Sequence, residues 1–185
     1  VEGPPMQDRL NTPHRWDSSD EIHVFRTPVE GADSRKYLVF ISTPPDVGFA
    51  QDYLYEVNRN FDLAVRYYQQ PNEHDPLFVS ADYVLAGGLS KYHSARQFLL
   101  KLDLLDRYDG FLFLDGDVKF GAGDIDRLLA FATAMDLDLA QAATTDDSHV
   151  SWHVTKASTT FMCRATSFVE VMAPYLSRHA LKTVL

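Results

Sequence analysis

Two aspartates on either side of a single glycine are the residues of this sequence best suited to bind a metal. Asp115 and Asp117 directly follow residues 111–114, which are all large and apolar. A continuous apolar run of this kind is typical of a strand that is buried on both faces of a parallel sheet. Open α/β sheets bind ligands at the carboxyl ends of their strands, and hard cations prefer carboxylate oxygens, so the pattern predicts a divalent-metal site at this strand end.

The first chemistry compatible with this pair is the binding of a nucleotide diphosphate. A divalent ion held by Asp115 or Asp117 would bridge the diphosphate oxygens and neutralise the charge of the leaving group. The chain carries a net charge of −9. An anionic ligand would therefore need local help, from a metal or from a helix N-terminus.

A second chemistry is that of the haloacid-dehalogenase-type phosphatases, in which Asp115 would be the nucleophile. Residues 113–118 resemble the first motif of that family. However, that family opens its fold with this strand, whereas the aspartate pair lies in the middle of the present chain. The residues that remain after the pair are also few for the family's later motifs, so this alternative is the weaker one.

A calcium-binding loop of the EF-hand type is excluded by the spacing. Asp115, Asp117 and Asp126 would take positions 1, 3 and 12 of such a loop. Lys119 then stands where an oxygen ligand belongs, and Phe120 stands where the loop needs glycine.

The composition is that of a globular chain of ordinary domain size. The sequence has 185 residues, 45% of them apolar, and it contains no apolar stretch of the length that a membrane-spanning helix requires. The net charge of −9 argues against binding to nucleic acid or to an anionic membrane surface. Because there is a single cysteine, Cys163, and no recognisable signal peptide, we expect a cytoplasmic protein in which Cys163 is a small buried residue.

The apolar pattern alternates between strands and helices along most of the chain. It predicts strands at residues 22–25, 37–42, 63–68, 83–86, 111–114, 139–143, 149–154 and 158–164. It predicts helices around residues 49–57 (with Asp46 as N-cap), 95–105 and 125–135. It also predicts a helix from Ser167, where Ser167 and Glu170 would form a capping box, and Pro174 would begin a second helix or kink the first.

This alternation predicts an α/β fold with three layers, α/β/α, and a mixed, mostly parallel sheet. Right-handed crossovers would place Thr43, the Gly87-Gly88 pair and the two aspartates on one rim of that sheet. Residues 1–34 are expected to form an N-terminal arm or connector. Residues 35–185 are expected to form a single domain.

Acid–base candidates are concentrated in the second half of the chain. Asp146 and Asp147 lie on a predicted rim loop, where either could act as a general base or cap a turn. His149 and His153 lie four residues apart on a predicted strand, so both would point the same way, either as metal or acceptor-site groups or as structural histidines. Trp152 would point to the opposite face, as a core residue or as a platform for sugar stacking.

The order of strand, Asp-x-Asp and helix resembles the GT-A fold of nucleotide-sugar-dependent glycosyltransferases. More narrowly, residues 35–185 are similar to the family called domain of unknown function seven-zero-seven. The matching segments are residues 36–39, 60–68, 91–92, 108–117, 139–141, 148–155 and 168–174. The most specific of them is the last, which reads Phe-Val-Glu-Val-Met-Ala-Pro.

The resemblance implies a metal-dependent glycosyltransferase (hexosyl transfer) with a nucleotide diphosphate sugar as donor. The acceptor would carry a hydroxyl group and could be a glycan, a lipid or a small molecule. Asp115 and Asp117 would bind Mn2+ or Mg2+, with Asp115 also near the diphosphate. Thr43 would lie near the nucleotide base, and Lys91 would meet phosphate or sugar. Asp147 and His153 are the candidate catalytic residues.

Two departures from the family pattern affect the acceptor side. Residues 151–153 read Ser-Trp-His, where the family has a His-His pair. The family also continues beyond the Ala-Pro string into a Gly-Trp-Gly-Leu-Asp segment that this sequence lacks. The domain is therefore expected to be truncated at its C-terminus, as a fragment, a shortened homologue or a nucleotide-binding half. The alternative function is a non-catalytic nucleotide-sugar-binding or interaction module of the same fold.

Overall fold

The computed structural model describes residues 20–28, 35–47 and 59–185. Within these ranges the strands are β1 (Ile22–Arg26), β2 (Tyr37–Thr43), β3 (Phe61–Tyr67), β4 (Tyr83–Gly87), β5 (Gly110–Asp115), β6 (Leu139–Gln141) and β7 (Pro174–Ser177). The helices are α1 (Pro76–Ser80), α2 (Lys91–Lys101), α3 (Asp124–Ala134) and α4 (Arg178–Val184), and a 3-10 turn spans His153–Thr155. Of the helices in these ranges, none has both the length and the apolar character that crossing a membrane requires.

The seven strands form one mixed sheet with the order β1-β4-β3-β2-β5-β7-β6. The central strands β4, β3, β2 and β5 are parallel. The outer strands β1, β7 and β6 join through antiparallel pairs. The predicted mixed sheet with a parallel centre is therefore confirmed, and so is the edge strand predicted at residues 22–25.

The centre of the sheet is apolar on both faces, as the unbroken apolar runs of β2, β3 and β5 require. Every residue of β2 and of β3 is buried. On one face, Val39 and Leu63 share a core with side chains of α1 and α3. On the other face, Phe40 and Phe113 share a core with side chains of α2 and α4. Helices thus cover both faces, as the predicted three-layer arrangement requires.

The strands predicted at residues 149–154 and 158–164 do not form. The chain is irregular there apart from the 3-10 turn, and residues 159–168 are all exposed. The pairing in this region is an isolated bridge between Thr144 and Lys156. An alternating sequence becomes a strand only where a sheet edge and a core receive it, so the prediction from alternation alone was wrong.

Two side chains of this irregular region differ from the prediction in the same way. Trp152, expected in the core, is 59% exposed, although its ring packs edge-on against Phe168 with centroids 5.8 Å apart. Cys163, expected to be a small buried residue, is exposed. His149 and His153 no longer share a strand face, because the strand that would have aligned them is absent from the described region.

The capping box predicted at Ser167 and Glu170 is also wrong, because the chain does not enter a helix there. Instead, the backbone N–H of Glu170 donates to Oε1 of Gln141 at 2.5 Å. This contact ties the segment to β6, so the N–H that a capping box would use is bonded to a different element.

Pro174 begins strand β7 and not a helix. A strand tolerates proline as its first residue. β7 inserts between β5 and β6, and the ring of Tyr175 lies so close to Gly110 that an added Cβ would be 2.5 Å from it. This tertiary contact overrides the helical pattern of the local sequence, and α4 begins only at Arg178.

Helix α1 is an element that the sequence pattern did not predict. Asp75 caps it, since its Oδ1 accepts from the N–H of Leu77 at 2.9 Å, and Pro76 stands at the first helical position. The other oxygen of Asp75 accepts from the N–H of Asp46 at 2.8 Å. The helix predicted around residues 49–57 lies outside the described residues.

A buried polar network surrounds Asp62 near the amino ends of the parallel strands. Its carboxylate accepts hydrogen bonds from the hydroxyl of Tyr108 at 2.6 Å and from the guanidinium of Arg35 at 3.1 Å. Arg107 adds a contact at 3.4 Å. Burial raises the pKa of Asp62 above its ordinary value by more than the Tyr108 hydrogen bond and the two arginines lower it, and the nearby Asp82 adds to the rise.

We expect Asp62 to add stability as the pH falls. Because its pKa is higher in the folded state than in the unfolded state, its stabilisation is complete below the unfolded pKa and is lost as the pH rises through the folded pKa. In urea unfolding at pH values between about 7 and about 4, the free-energy advantage of wild type over Asp62→Asn should therefore grow towards low pH.

Asp106→Asn is the matched control for this experiment. Asp106 is exposed, and its ion pair with Lys182 lowers its pKa. The advantage of wild type over this variant should therefore shrink as the pH falls, with the opposite slope. Equal slopes for the two variants would contradict the assignment of the raised pKa to Asp62.

Candidate functional site

The chain reverses its path across the sheet between β2 and β5. From β2 it moves outwards through β3 to β4, and it then returns to the other side of β2 with β5. Such a reversal opens a crevice outside the carboxyl ends of the two strands, where open α/β sheets bind their ligands. β2 ends at Thr43 and β5 ends at Asp115, so two of the predicted site residues lie where open α/β sheets bind their ligands.

Gly116 holds the two strand ends in close contact. Its N–H donates to the carbonyl of Ser42 at 3.0 Å and so continues the pairing of β2 with β5. A Cβ at this position would lie 2.3 Å from Oγ1 and 2.4 Å from Cβ of Thr43. Thr43 is itself fully buried, and its hydroxyl donates to the carbonyl of Pro44 at 2.8 Å. The aspartates therefore project from a tightly packed rim.

Lys91, the first residue of α2, forms an ion pair with Asp115. Its Nζ lies 2.8 Å from Oδ1 of Asp115, and its side chain is only 9% exposed, against 41% for Asp115. Burial lowers the pKa of Lys91 by more than the charges of Asp115 and Asp117 raise it. Asp117 is exposed beyond Gly116. The structure thus places Lys91 in contact with Asp115 and within the electrostatic influence of Asp117.

Residues 171–172 are fastened to the same group of side chains. The N–H of Asp115 donates to the carbonyl of Met172 at 2.9 Å. Lys91 donates to the carbonyls of Val171 at 2.5 Å and Met172 at 3.3 Å, and the hydroxyl of Tyr92 donates to Val171 at 2.5 Å. Burial, with the charge of Asp115, raises the pKa of Tyr92 to about 12, so this hydroxyl remains a donor at neutral pH.

A row of polar side chains crosses the sheet at the rim. Asp115 of β5 pairs in register with Ser42 of β2, which pairs with Arg66 of β3. The guanidinium of Arg66 is buried and donates to the hydroxyl of Ser42 at 2.8 Å. It also donates to the carbonyls of Gly87 at 2.7 Å and Gly88 at 2.5 Å, and burial lowers its pKa. Arg66 thereby fixes the loop that leads into α2 and Lys91.

Asp147 and His153, predicted as catalytic residues, lie in the irregular region after β6. Asp147 is exposed, and hydrogen bonds from Thr145 and from its own backbone, together with the charge of Lys156, lower its pKa. His153 is exposed in the 3-10 turn. Within the described ranges, no hydrogen bond or ion pair joins either residue to Asp115, Asp117 or Lys91.

The carboxylates at the rim suit a cation that the protein and a ligand would bind together. Residues 20–28, 35–47 and 59–185 contain no group of three His, Cys, Asp or Glu side chains that could hold a metal. Asp115 and Asp117 supply two carboxylates. Mg2+ typically uses one or two protein carboxylates and completes its shell with water and substrate phosphates. The pair therefore suits Mg2+ or Mn2+ bound together with a phosphate group, and it does not suit a cage built from protein alone.

Three contributors to this rim were missed from the sequence, namely Ser42, Arg66 and Tyr92. Arg66 left a usable signal, since a charged residue inside a strand buried on both faces needs partners there. The pattern of strands and helices gives no indication of Ser42 or Tyr92, because their contacts depend on strand register and on residues 171–172.

Comparisons with known proteins give no match to a family model, to a curated protein or to a solved structure.

Proposed function

We propose that the protein is a metal-dependent glycosyltransferase of the GT-A type that uses a nucleotide diphosphate sugar as its donor. The observation that carries this proposal is the position of Asp115, which ends β5 at the reversal point of the sheet, and of Asp117 just after it, with Lys91 paired to Asp115. Two carboxylates and one ammonium at such a crevice match the charges of a divalent cation and a diphosphate.

The residues around the crevice would bind and orient the donor. Lys91 carries a positive charge at the rim. The N-terminus of α2, capped by Ser90, begins at the same place and contributes the partial positive charge of a helix end. A Mn2+ or Mg2+ ion bound with Asp115 and Asp117 would supply stabilisation of the negative charge on the departing diphosphate. Thr43, fully buried, would shape the rim next to the nucleotide base through packing.

An inverting transfer needs a base within hydrogen-bond reach of the acceptor hydroxyl. Asp147 and His153 remain the candidates for this role, but the lowered pKa of Asp147 makes it a weaker base. The acceptor itself is proposed only as a hydroxyl-bearing molecule.

A second candidate function is a nucleotide-sugar-binding module without catalysis. The observation that favours it is the separation noted above: the groups suited to a diphosphate contact one another, whereas no contact in the described residues joins Asp147 or His153 to them. In that case the crevice would bind the donor without transferring its sugar.

Calorimetric titration with UDP- and GDP-sugars tests the proposal, with and without Mn2+. We expect binding that requires Mn2+ and that Asp117→Ala weakens by about 100-fold, since this variant removes one of two carboxylate ligands. Asp106→Ala, which removes an exposed aspartate near the start of β5, is the control and should bind normally. Absence of binding in every combination would overturn the proposal.

Product analysis separates the remaining alternatives. Sugar transfer to an acceptor, or slow hydrolysis of the donor, supports the enzyme. Donor binding without either reaction supports the binding module. Release of phosphate from simple phosphomonoesters would instead identify a phosphatase with Asp115 as its nucleophile.

A further inference from the structure

Every donor of the Lys91 ammonium is already in use. An ammonium has three N–H donors. Those of Lys91 face Oδ1 of Asp115 at 2.8 Å and the carbonyls of Val171 at 2.5 Å and Met172 at 3.3 Å. With only 9% of its side chain exposed, the ammonium has little access to further acceptors. Lys91 therefore cannot contact a phosphate unless it first releases one of these three partners.

Asp115 is the partner that a bound ligand would replace. The carbonyls of Val171 and Met172 are neutral and are held beside Lys91 by a second donor each, the hydroxyl of Tyr92 and the N–H of Asp115, so both would stay next to the ammonium. The carboxylate of Asp115 is 41% exposed, and a divalent cation satisfies it better than an ammonium does. The cation and Lys91 therefore compete for the same carboxylate.

We infer that Lys91 is the resident counter-ion of the aspartate pair and exchanges partners when the donor binds, an inference that rests on the proposed function. Asp115 would then be free to hold the divalent cation, and Lys91 would turn from Asp115 to the incoming diphosphate. The cation alone then binds weakly. It must either displace the ammonium of Lys91 or bind close to it, and without the diphosphate that ammonium has no other anionic partner. When the diphosphate is present, both cations have an anionic partner, so metal and nucleotide bind cooperatively. Lys91 in this role is a binding residue that couples the two ligands.

Titration with Mn2+ alone, with UDP alone in EDTA and with both together tests this exchange in the full chain. Compared with wild type, Lys91→Met should bind Mn2+ alone at least about tenfold more tightly, because a unit charge is removed a few ångströms from the metal ligands. The same variant should bind UDP in EDTA about tenfold more weakly. The cooperativity between Mn2+ and UDP should fall accordingly.

Tyr92→Phe is the matched control, because it removes a second donor to Val171 without changing any charge. It should leave the affinity for Mn2+ alone unchanged. If Tyr92→Phe and Lys91→Met both bind Mn2+ more tightly than wild type, the cause is a loosened segment 171–172, and the exchange is overturned. If Lys91→Met does not fold, Lys91→Gln gives the same readout, since its amide can still donate to the carbonyls.

The result that overturns the inference is an affinity for Mn2+ alone that is no higher in the Lys91 variants than in wild type, including no binding in either. Failure of the proposed function looks different. In that case UDP binds in no combination, while the change in Mn2+ affinity between wild type and the Lys91 variants still reports on the ion pair.

Discussion

Replacing Gly116 by alanine should destabilise the protein by about 3 kcal/mol, the upper range for forcing extra volume into a packed site. The new Cβ would lie 2.3 Å from Oγ1 and 2.4 Å from Cβ of Thr43, and 3.0 Å from its Cα. The last of these atoms is backbone, so a rotamer change of Thr43 cannot relieve the contact. The ends of β2 and β5 would have to separate, which also breaks the hydrogen bond from Gly116 to Ser42.

Two variants of Thr43 show whether the contact between residue 116 and Thr43 causes the loss of stability. Thr43→Gly removes the clashing Cβ, so Gly116→Ala should cost clearly less in the Thr43→Gly background than in wild type. Thr43→Ala keeps the Cβ, and in that background the cost of Gly116→Ala should stay nearly as large. Urea unfolding of the single and double variants gives the coupling energies. Equal coupling in the two backgrounds would show that the destabilisation arises elsewhere.

The centre of the sheet could be predicted because its signal is local. A strand buried on both faces must be apolar at every position, and residues 37–42 and 111–114 meet that condition without knowledge of their partners. Parallel strands also share one carboxyl edge, so the positions of Thr43 and Asp115 on one rim followed from the strand assignments. The rim that carries the candidate site is therefore predictable from the strand assignments alone, whereas its side-chain contacts are not.

The prediction failed where a segment's conformation depends on a distant partner. Residues 149–154 alternate like a strand, but an alternating segment remains irregular unless a sheet edge receives it. Pro174 stands in a pattern that favours a helix, yet the gap between β5 and β6 and the contact of Tyr175 with Gly110 make it the start of a strand. The conformation of such segments is set by tertiary contacts, and the spacing of apolar residues does not report those contacts.

The contacts within the site depend on register in the same way. Asp115, Ser42 and Arg66 form one row because β2 pairs with both neighbours at a particular register. A slip by one residue would send a side chain to the opposite face of the sheet. The ion pair of Lys91 with Asp115 follows from this row, since Asp115 lies on the face that α2 covers. The site is therefore as sensitive to the packing of the strand ends as to the identity of its charged residues.

Arg66→Leu should destabilise the protein by about 3 kcal/mol, since it leaves up to three acceptors without their donor. The acceptors are the hydroxyl of Ser42 and the carbonyls of Gly87 and Gly88. Arg66→Lys should recover only part of this loss, because one ammonium cannot reproduce the fork of the guanidinium. Urea unfolding of both variants measures the effect. Arg96→Leu is the control, and as an exposed position on α2 it should change stability by no more than about 0.5 kcal/mol.

The same substitution should weaken ligand binding although Arg66 is too deeply buried to meet a ligand itself. Gly87 and Gly88 both adopt positive φ angles, of 84° and 76°, and they lead directly into the cap of α2. Without the guanidinium this loop loses two hydrogen bonds to its carbonyls, so the position of Lys91 becomes less well defined. At temperatures where Arg66→Leu is still folded, its affinity for UDP with Mn2+ should fall in parallel with its stability, while Arg96→Leu should retain both. Lower stability with unchanged affinity for UDP would show that the loop keeps its place without Arg66.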